Sequence, residues 1–383
     1  MVTTSEEVCL KKWSAVFGMC CCVAWAAVPL AKSARAQDCD GACDQNDDGG
    51  DHDGDDQAND DRGRHEHGND GGEADVQVEE LFFPVQLSDG NTYRIAGFLY
   101  HTGSLSNAVI QVAVHGATHF HLYWDFPRIN GISYSYARYM ARRGYAVLAI
   151  DQLGTGDSSQ PDGDFVNLDQ TANALHQVLA SLRHASNPIG REFDRVALVG
   201  HSNGSLTSIY ATGTYHDADA LVTTAWEHPP HPLPFNPADI IALLTTPYIP
   251  ATAFSEAFRT AIFYYVPTTD PDFLDFEQAH LGPAVQARAQ FIDLFTAGLD
   301  TSLTRSTSVT VPVLVQNGDF DALQPSAFMS AEPSFYPNAE SVTLGFLDAI
   351  GHNINGHRNH LQSWRGIDHW LRETLPPHHH PHP

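Results

Sequence analysis

Residues 195–210 read RVALVGHSNGSLTSIY: an apolar run, a glycine-flanked serine and a helix-forming stretch in direct succession. Arg195 to Val199 is short and almost wholly apolar, as a strand buried on both faces would be. Ser205 to Tyr215 has the composition of the helix that follows. Between them stands Gly200-His201-Ser202-Asn203-Gly204, the only G-x-S-x-G in the chain. A serine at such a junction occupies a tight turn, and its neighbours two places away must be small because strand and helix crowd it. The turn lifts the hydroxyl out at the carboxyl end of a sheet. It also aims the next backbone N–H, that of Asn203, at a developing oxyanion.

Outward from this point, strands alternate with helices. Strands are expected at Val78 to Leu87, Thr92 to His101, Ala108 to Val114, Tyr145 to Ile150, Ala220 to Ala225, Val311 to Gln316 and Ser341 to Phe346. Helices are expected at Ser133 to Arg143, Asp169 to His184 and Asn355 to Glu373. That spacing predicts an α/β fold, with a mostly parallel central sheet and helices on both faces. The alternation stops over about 228–307, where proline-rich segments lead into aromatic, helical stretches. This is expected to be an inserted helical cap. Its Phe254, Phe258, Phe263, Tyr264 and Tyr265 suit helix packing or the roof of an apolar site.

A serine needs a base to become a nucleophile, and the base needs a carboxylate to hold its tautomer. In this kind of fold the order along the chain is serine, acid, histidine. The strand ending at Gln316 runs into Gly318-Asp319-Phe320-Asp321, and the strand ending at Phe346 is followed by Gly351-His352. Ser202, Asp321 and His352 are therefore the candidate catalytic residues. Asp319 and Glu227 are alternative acids. The second oxyanion donor should follow the third strand, where His115-Gly116-Ala117-Thr118 places the Ala117 N–H beside Asn203 as the candidate oxyanion hole. His201, Tyr123, Trp124 and Phe126 are candidates for the substrate pocket. His119 and His121 form an H-x-H with no third ligand at suitable spacing, so they are read as pocket wall or surface and no metal is expected.

Charge and composition set the surroundings. The formal net charge is −26, from 46 acids and 20 bases. Residues 37–80 hold 17 acids against Arg62 and Arg64, a net of −15, and no lysine follows Lys32. Such a surface repels nucleic acid, so no nucleic-acid partner is expected. Residues 1–36 read as a signal peptide: Lys11 and Lys12, an uncharged stretch from Trp13 to Leu30, then Ala34-Arg35-Ala36. Secretion, with no stable membrane span after cleavage, is the expectation. Residues 37–77 are a disordered acidic Asp/Gly-rich linker by composition. Within it Asp44, Asn46, Asp48, Gly49 and Asp55 follow calcium-loop spacing, so weak calcium binding stands beside a solvated spacer. All six cysteines lie at or before Cys43, so the folded domain at 78–375 needs no disulfide. Residues 376–383 are a His/Pro tail.

With VHGA at 114–117, DQLGTGDSS at 151–159, GHSNG at 200–204, GDFDALQP at 318–325 and GH at 351–352, the chain resembles the cap-bearing, secreted bacterial branch of the α/β-hydrolase superfamily. The resemblance spans roughly residues 80–373. The family's G-x-x-D-x-x-x-P pattern implies Asp321 as the acid, and the loop from Asp151 to Ser158 as a shaping element. Asn203 departs from the Met common in relatives. The resemblance implies a serine esterase or lipase without a cofactor, acting on a small-molecule, lipid or polyester ester. The same triad would serve an amidase, a lactonase, a carbon–carbon bond hydrolase or a cofactor-free haloperoxidase. A non-catalytic binding protein on the same scaffold is the alternative of a different class.

Overall fold

A computed structural model describes residues 75–105, 107–228 and 237–376. The expected signal peptide, the calcium-loop spacing, nearly all of the linker and the tail after Pro376 lie outside them. Eight strands form the central sheet: β1 (Gln77–Gln86), β2 (Thr92–His101), β3 (Ile110–Val114), β4 (Ala146–Ile150), β5 (Val196–His201), β6 (Ala220–Thr224), β7 (Val313–Gly318) and β8 (Val342–Leu347). Their order is β1-β2-β4-β3-β5-β6-β7-β8. β2 runs antiparallel to both of its neighbours, and every other pair is parallel. This is the mostly parallel α/β sheet expected from the alternation, and it agrees with the α/β-hydrolase fold that the resemblance implies.

Side chains alternate across the strands and divide the core in two. Ile110, Val112, Val114, Leu148, Val196, Leu198 and Val315 pack on one face, under α2 (Leu168–Leu182) and α3 (Asn203–Tyr215). Ala113, Val147, Ala149, Ala197, Val199, Val222 and Leu314 pack on the other, with α1 (Tyr136–Ala141) and the C-terminal helix (Leu361–Thr374). β3, β4, β5, β6 and β7 are buried along their whole length, which is why they read as unbroken apolar runs.

Two expectations need correction. The last helix starts at Leu361 rather than Asn355, because Asn355 is used elsewhere: its Nδ2 donates to Tyr123 O at 3.1 Å and its Oδ1 accepts from Trp364 Nε1 at 2.7 Å. The helix expected from Ser133 starts at Tyr136, where the Ser135 hydroxyl caps Arg138 N at 3.0 Å; Ile132–Ser133 pairs instead with Arg128–Ile129. Between β6 and β7 lie α4 (Pro237–Leu243), α5 (Glu256–Phe263), α6 (Pro271–Ala279) and α7 (Arg288–Leu299), so the last helix is α8. The segment is not purely helical, since Tyr248–Pro250 pairs antiparallel with Val285–Ala287. No described helix is long and apolar enough to cross a membrane.

Candidate active site

Ser202 stands alone between β5 and α3, with φ 52° and ψ −120°. A non-glycine residue adopts that conformation only when its surroundings enforce it. Here Ser202 N donates to Thr224 O on β6 at 2.8 Å, and Ser202 O accepts from Ser205 N at 2.8 Å. The flanking glycines permit the turn. A Cβ on Gly204 would lie 2.2 Å from Val114 O, and one on Gly200 would lie 2.5 Å from Ser205 Cα. Gly204→Ala is therefore expected to cost about 3 kcal/mol or more, seen as a lower denaturation midpoint; an unchanged midpoint would refute the crowding.

His352, in the loop after β8, brings Nε2 to 2.9 Å from Ser202 Oγ. Its Nδ1 lies 2.9 Å from Asp321 Oδ2 and 3.0 Å from Oδ1. Asp321 Oδ1 also accepts from Leu323 N and Gln324 N, each at 2.8 Å. With Nδ1–H donated to the carboxylate, Nε2 is left as the acceptor for the serine proton. Asp321 and His352 are each 2 % exposed, while Ser202 is half-buried. The Phe263 ring, at the end of α5, stacks on His352 with centroids 5.6 Å apart.

Asp319 is exposed and, among the described residues, accepts only a long contact, 3.4 Å, from Ile350 N. Glu227 is buried, and neither carboxyl oxygen has a hydrogen-bond partner among the described residues. Burial, then the charges of Glu332 and Asp321, push it from 4.5 up to about 9. The folded protein thus keeps a proton that the unfolded chain releases above its ordinary value. Stability falls as pH rises through about 4.5 to 9, and the full penalty remains above that. Glu227→Gln is expected to raise the melting temperature, with a gain that grows over this window. A gain independent of pH would refute the assignment.

The Gly116–Ala117 peptide lies against Ser202: a Cβ on Gly116 would be 3.0 Å from His201 Cδ2 and 3.1 Å from Ser202 Cβ. His115 orients this peptide. Its Nε2 accepts from Gln152 N at 3.0 Å, so Nδ1 carries the proton and donates to Gly116 O at 2.8 Å. Burial lowers His115 to about 4, keeping it neutral.

Residues 131–359 match the family model described as serine aminopeptidase, S33. The chain belongs to this hydrolase family. No curated protein matches it by sequence. Similar solved structures include a thermophilic esterase from Thermogutta terrifontis (17% identity, TM-score 0.58, covering 77% of this chain and 99% of that one). A monoglyceride lipase from Saccharomyces cerevisiae has 16% identity and TM-score 0.57, covering 77% and 96%. A bromoperoxidase from Bacillus anthracis has 19% identity and TM-score 0.55, covering 78% and 99%. At these identities the likeness is one of fold.

In this S33-family hydrolase the expected pocket residues divide. Tyr123 and Phe126 line a small cleft with Thr118, Phe120 and Leu281. Trp124, expected beside them, is buried in the core against Tyr136. His201 is also no pocket residue. It is fully buried, stacked on Tyr123 at 4.2 Å, with Nε2 3.3 Å from Asn353 Oδ1. Burial, then the neighbouring His352, holds it well below the usual histidine range. The Asn203 side chain is buried too, with no partner for either polar atom among the described residues; its expected contribution is its main chain.

His119 lines the same cleft, as a pocket-wall residue would, and His121 is half-buried. His119 is buried, with Nε2 3.3 Å from Glu277 Oε1. His121 does have neighbours with metal-ligand chemistry, because Asp151 and Asp157 bring their oxygens within 4.8 Å of it. Sequence distance hides them. The Asp151 carboxylate is already engaged, accepting from His121 N at 2.6 Å, Asp157 N at 2.9 Å and His121 Nδ1 at 3.0 Å. Those bonds close the loop that the family pattern marked as shaping.

Proposed function

We propose that this hydrolase cleaves carboxylic esters through an acyl-enzyme on Ser202, with His352 as base and Asp321 as acid. The observation that carries this reading is the hydrogen-bonded line from Ser202 Oγ through His352 to Asp321. Ser202 attacks the acyl carbonyl while His352 Nε2 takes its proton. The N–H groups of Ala117 and Asn203 hold the oxyanion. His352 returns the proton to the departing alcohol, then activates the water that releases the acid. The chemistry needs no cofactor.

An ester substrate is favoured by the esterase and lipase among the similar folds. It is favoured also by an apolar rim: Phe320, 49 % exposed beside Asp321, stacks on Tyr265 at 3.8 Å. Segment 228–307 is read as a cap over the site, a reading supported by the Phe263–His352 stack. Residues 1–36 are read as an export signal and the enzyme as secreted.

The test is turnover of p-nitrophenyl esters of increasing acyl length beside aminoacyl anilides, using protein without residues 1–36. Ester turnover is expected, and the length profile sizes the pocket. Anilide turnover without ester turnover would replace the ester reading with the aminopeptidase activity in the family's description.

A further inference from the structure

The segment between β6 and β7 does more than flank the site. It sends two charges into the core. Arg259 on α5 is 2 % exposed and Glu277 on α6 is 5 % exposed. Arg259 Nη2 lies 3.3 Å from Glu277 Oε1, and Arg259 Nη1 donates to Thr118 Oγ1 at 3.2 Å. Glu277 Oε1 also lies 3.3 Å from Asn353 Nδ2 and from His119 Nε2. Burial opposes the Glu277 charge, but Arg259 and the polar groups around the carboxylate outweigh it and bring the carboxyl down to about 2.

Every arm of this network ends on the machinery proposed above. Thr118 and His119 directly follow Ala117, the oxyanion donor. Thr118 is β-branched yet sits at φ 57°, a conformation it would leave if unsupported. Its one hydrogen bond to α5 is the support. His119 is held neutral by burial, and its Nε2 accepts from Asn353 Nδ2 at 3.0 Å. Its Nδ1 then donates to Ala117 O at 2.9 Å. His115 thus orients the peptide before Ala117, and His119 the peptide after it. Asn353 is the neighbour of His352, and its Nδ2 also donates to Tyr264 Oη at 2.9 Å.

We propose that the buried Arg259–Glu277 pair is a positioning device for the Ala117 oxyanion donor, acting on Thr118 directly and on His119 by way of Asn353, so that the inserted segment forms part of the catalytic geometry. This inference rests on the serine-hydrolase reading of Ser202. A pair serving only to attach the insert would be replaceable by any packing of equal stability. A positioning pair would not.

The test uses three variants of the full chain. Thr118→Val removes the hydroxyl at constant shape, Thr118→Ser restores it, and the double variant Arg259→Met with Glu277→Leu replaces the ion pair by apolar groups, a change that buried pairs commonly tolerate. Each is checked for an unchanged melting temperature. The valine and double variants are expected to lose about 10- to 100-fold in kcat with KM within about twofold, a loss somewhat below that of deleting an oxyanion donor. Their affinity for an alkyl boronic acid, which mimics the tetrahedral intermediate, should fall in parallel. Thr118→Ser should keep most of the kcat. Folded Thr118→Val and double variants with wild-type kcat would overturn the proposal, as would a kcat loss with unchanged boronate affinity. Failure of the wild type to react with a phosphonate at Ser202 would overturn the serine-hydrolase reading itself, and the inference with it.

Discussion

Ser202→Ala is expected to lower kcat on a p-nitrophenyl ester by roughly a million-fold, the scale seen when a triad serine is removed. The size follows from what is lost. Without Oγ there is no acyl-enzyme, and His352 Nε2 loses the partner it holds at 2.9 Å. What remains is substrate binding and two backbone donors. The loss should be chemical and not structural. The turn at residue 202 is made by main-chain bonds to Thr224 O and from Ser205 N, which alanine keeps. The melting temperature should therefore stay close to that of the wild type. A fluorophosphonate should label the parent at this position and leave the variant unlabelled. Residual activity within about a hundredfold of the parent would be far above that scale and would remove Ser202 from the mechanism.

The fold was legible because its signals are local. Val112, Leu148 and Leu198 fall on one face and Ala113, Val147 and Val199 on the other, so unbroken apolar runs read directly as doubly covered strands. Ser202 was legible because the crowded turn admits only small neighbours at 200 and 204. The support beneath the oxyanion loop was not. Thr118 meets Arg259, and His119 meets Glu277 and Asn353, across more than a hundred positions with no periodic pattern joining them. A trace was nevertheless present. In α5 the buried residues are Arg259, Ile262 and Phe263, and in α6 they are Phe273 and Glu277. In each helix a charge lies on the apolar stripe, four residues from a buried aromatic, where an unpaired charge would be too costly to keep. Such a placement predicts a buried polar partner even when it cannot name one. Trp124 was misplaced, and the carboxylate neighbours of His121 were missed, for a related reason. Asp151 partners His121 and Tyr136 packs on Trp124, and neither contact follows from residues 119–126 alone.

The choice between neighbouring carboxylates gives the second large effect. Asp321→Asn is expected to cost about 10⁴-fold in kcat, while Asp319→Asn stays within about threefold. The two differ by two positions and by everything around them. Asp321 Oδ1 accepts two backbone N–H groups, from Leu323 and Gln324. In an asparagine the carbonyl oxygen must remain there, because an NH2 group would face two donors. The NH2 then takes the place of Oδ2, 2.9 Å from His352 Nδ1. That nitrogen can only accept from it, so the ring proton moves to Nε2 and points at Ser202. A histidine in that tautomer cannot take the serine proton, although every atom is nearly where it was. Asp319, exposed and on Ile350 N, has no such hold on the ring. Steady-state kinetics of the two variants beside Glu227→Gln settles the acid. If Asp321→Asn keeps more than about a tenth of the activity while either of the others is inactive, the imidazole is oriented by a different carboxylate.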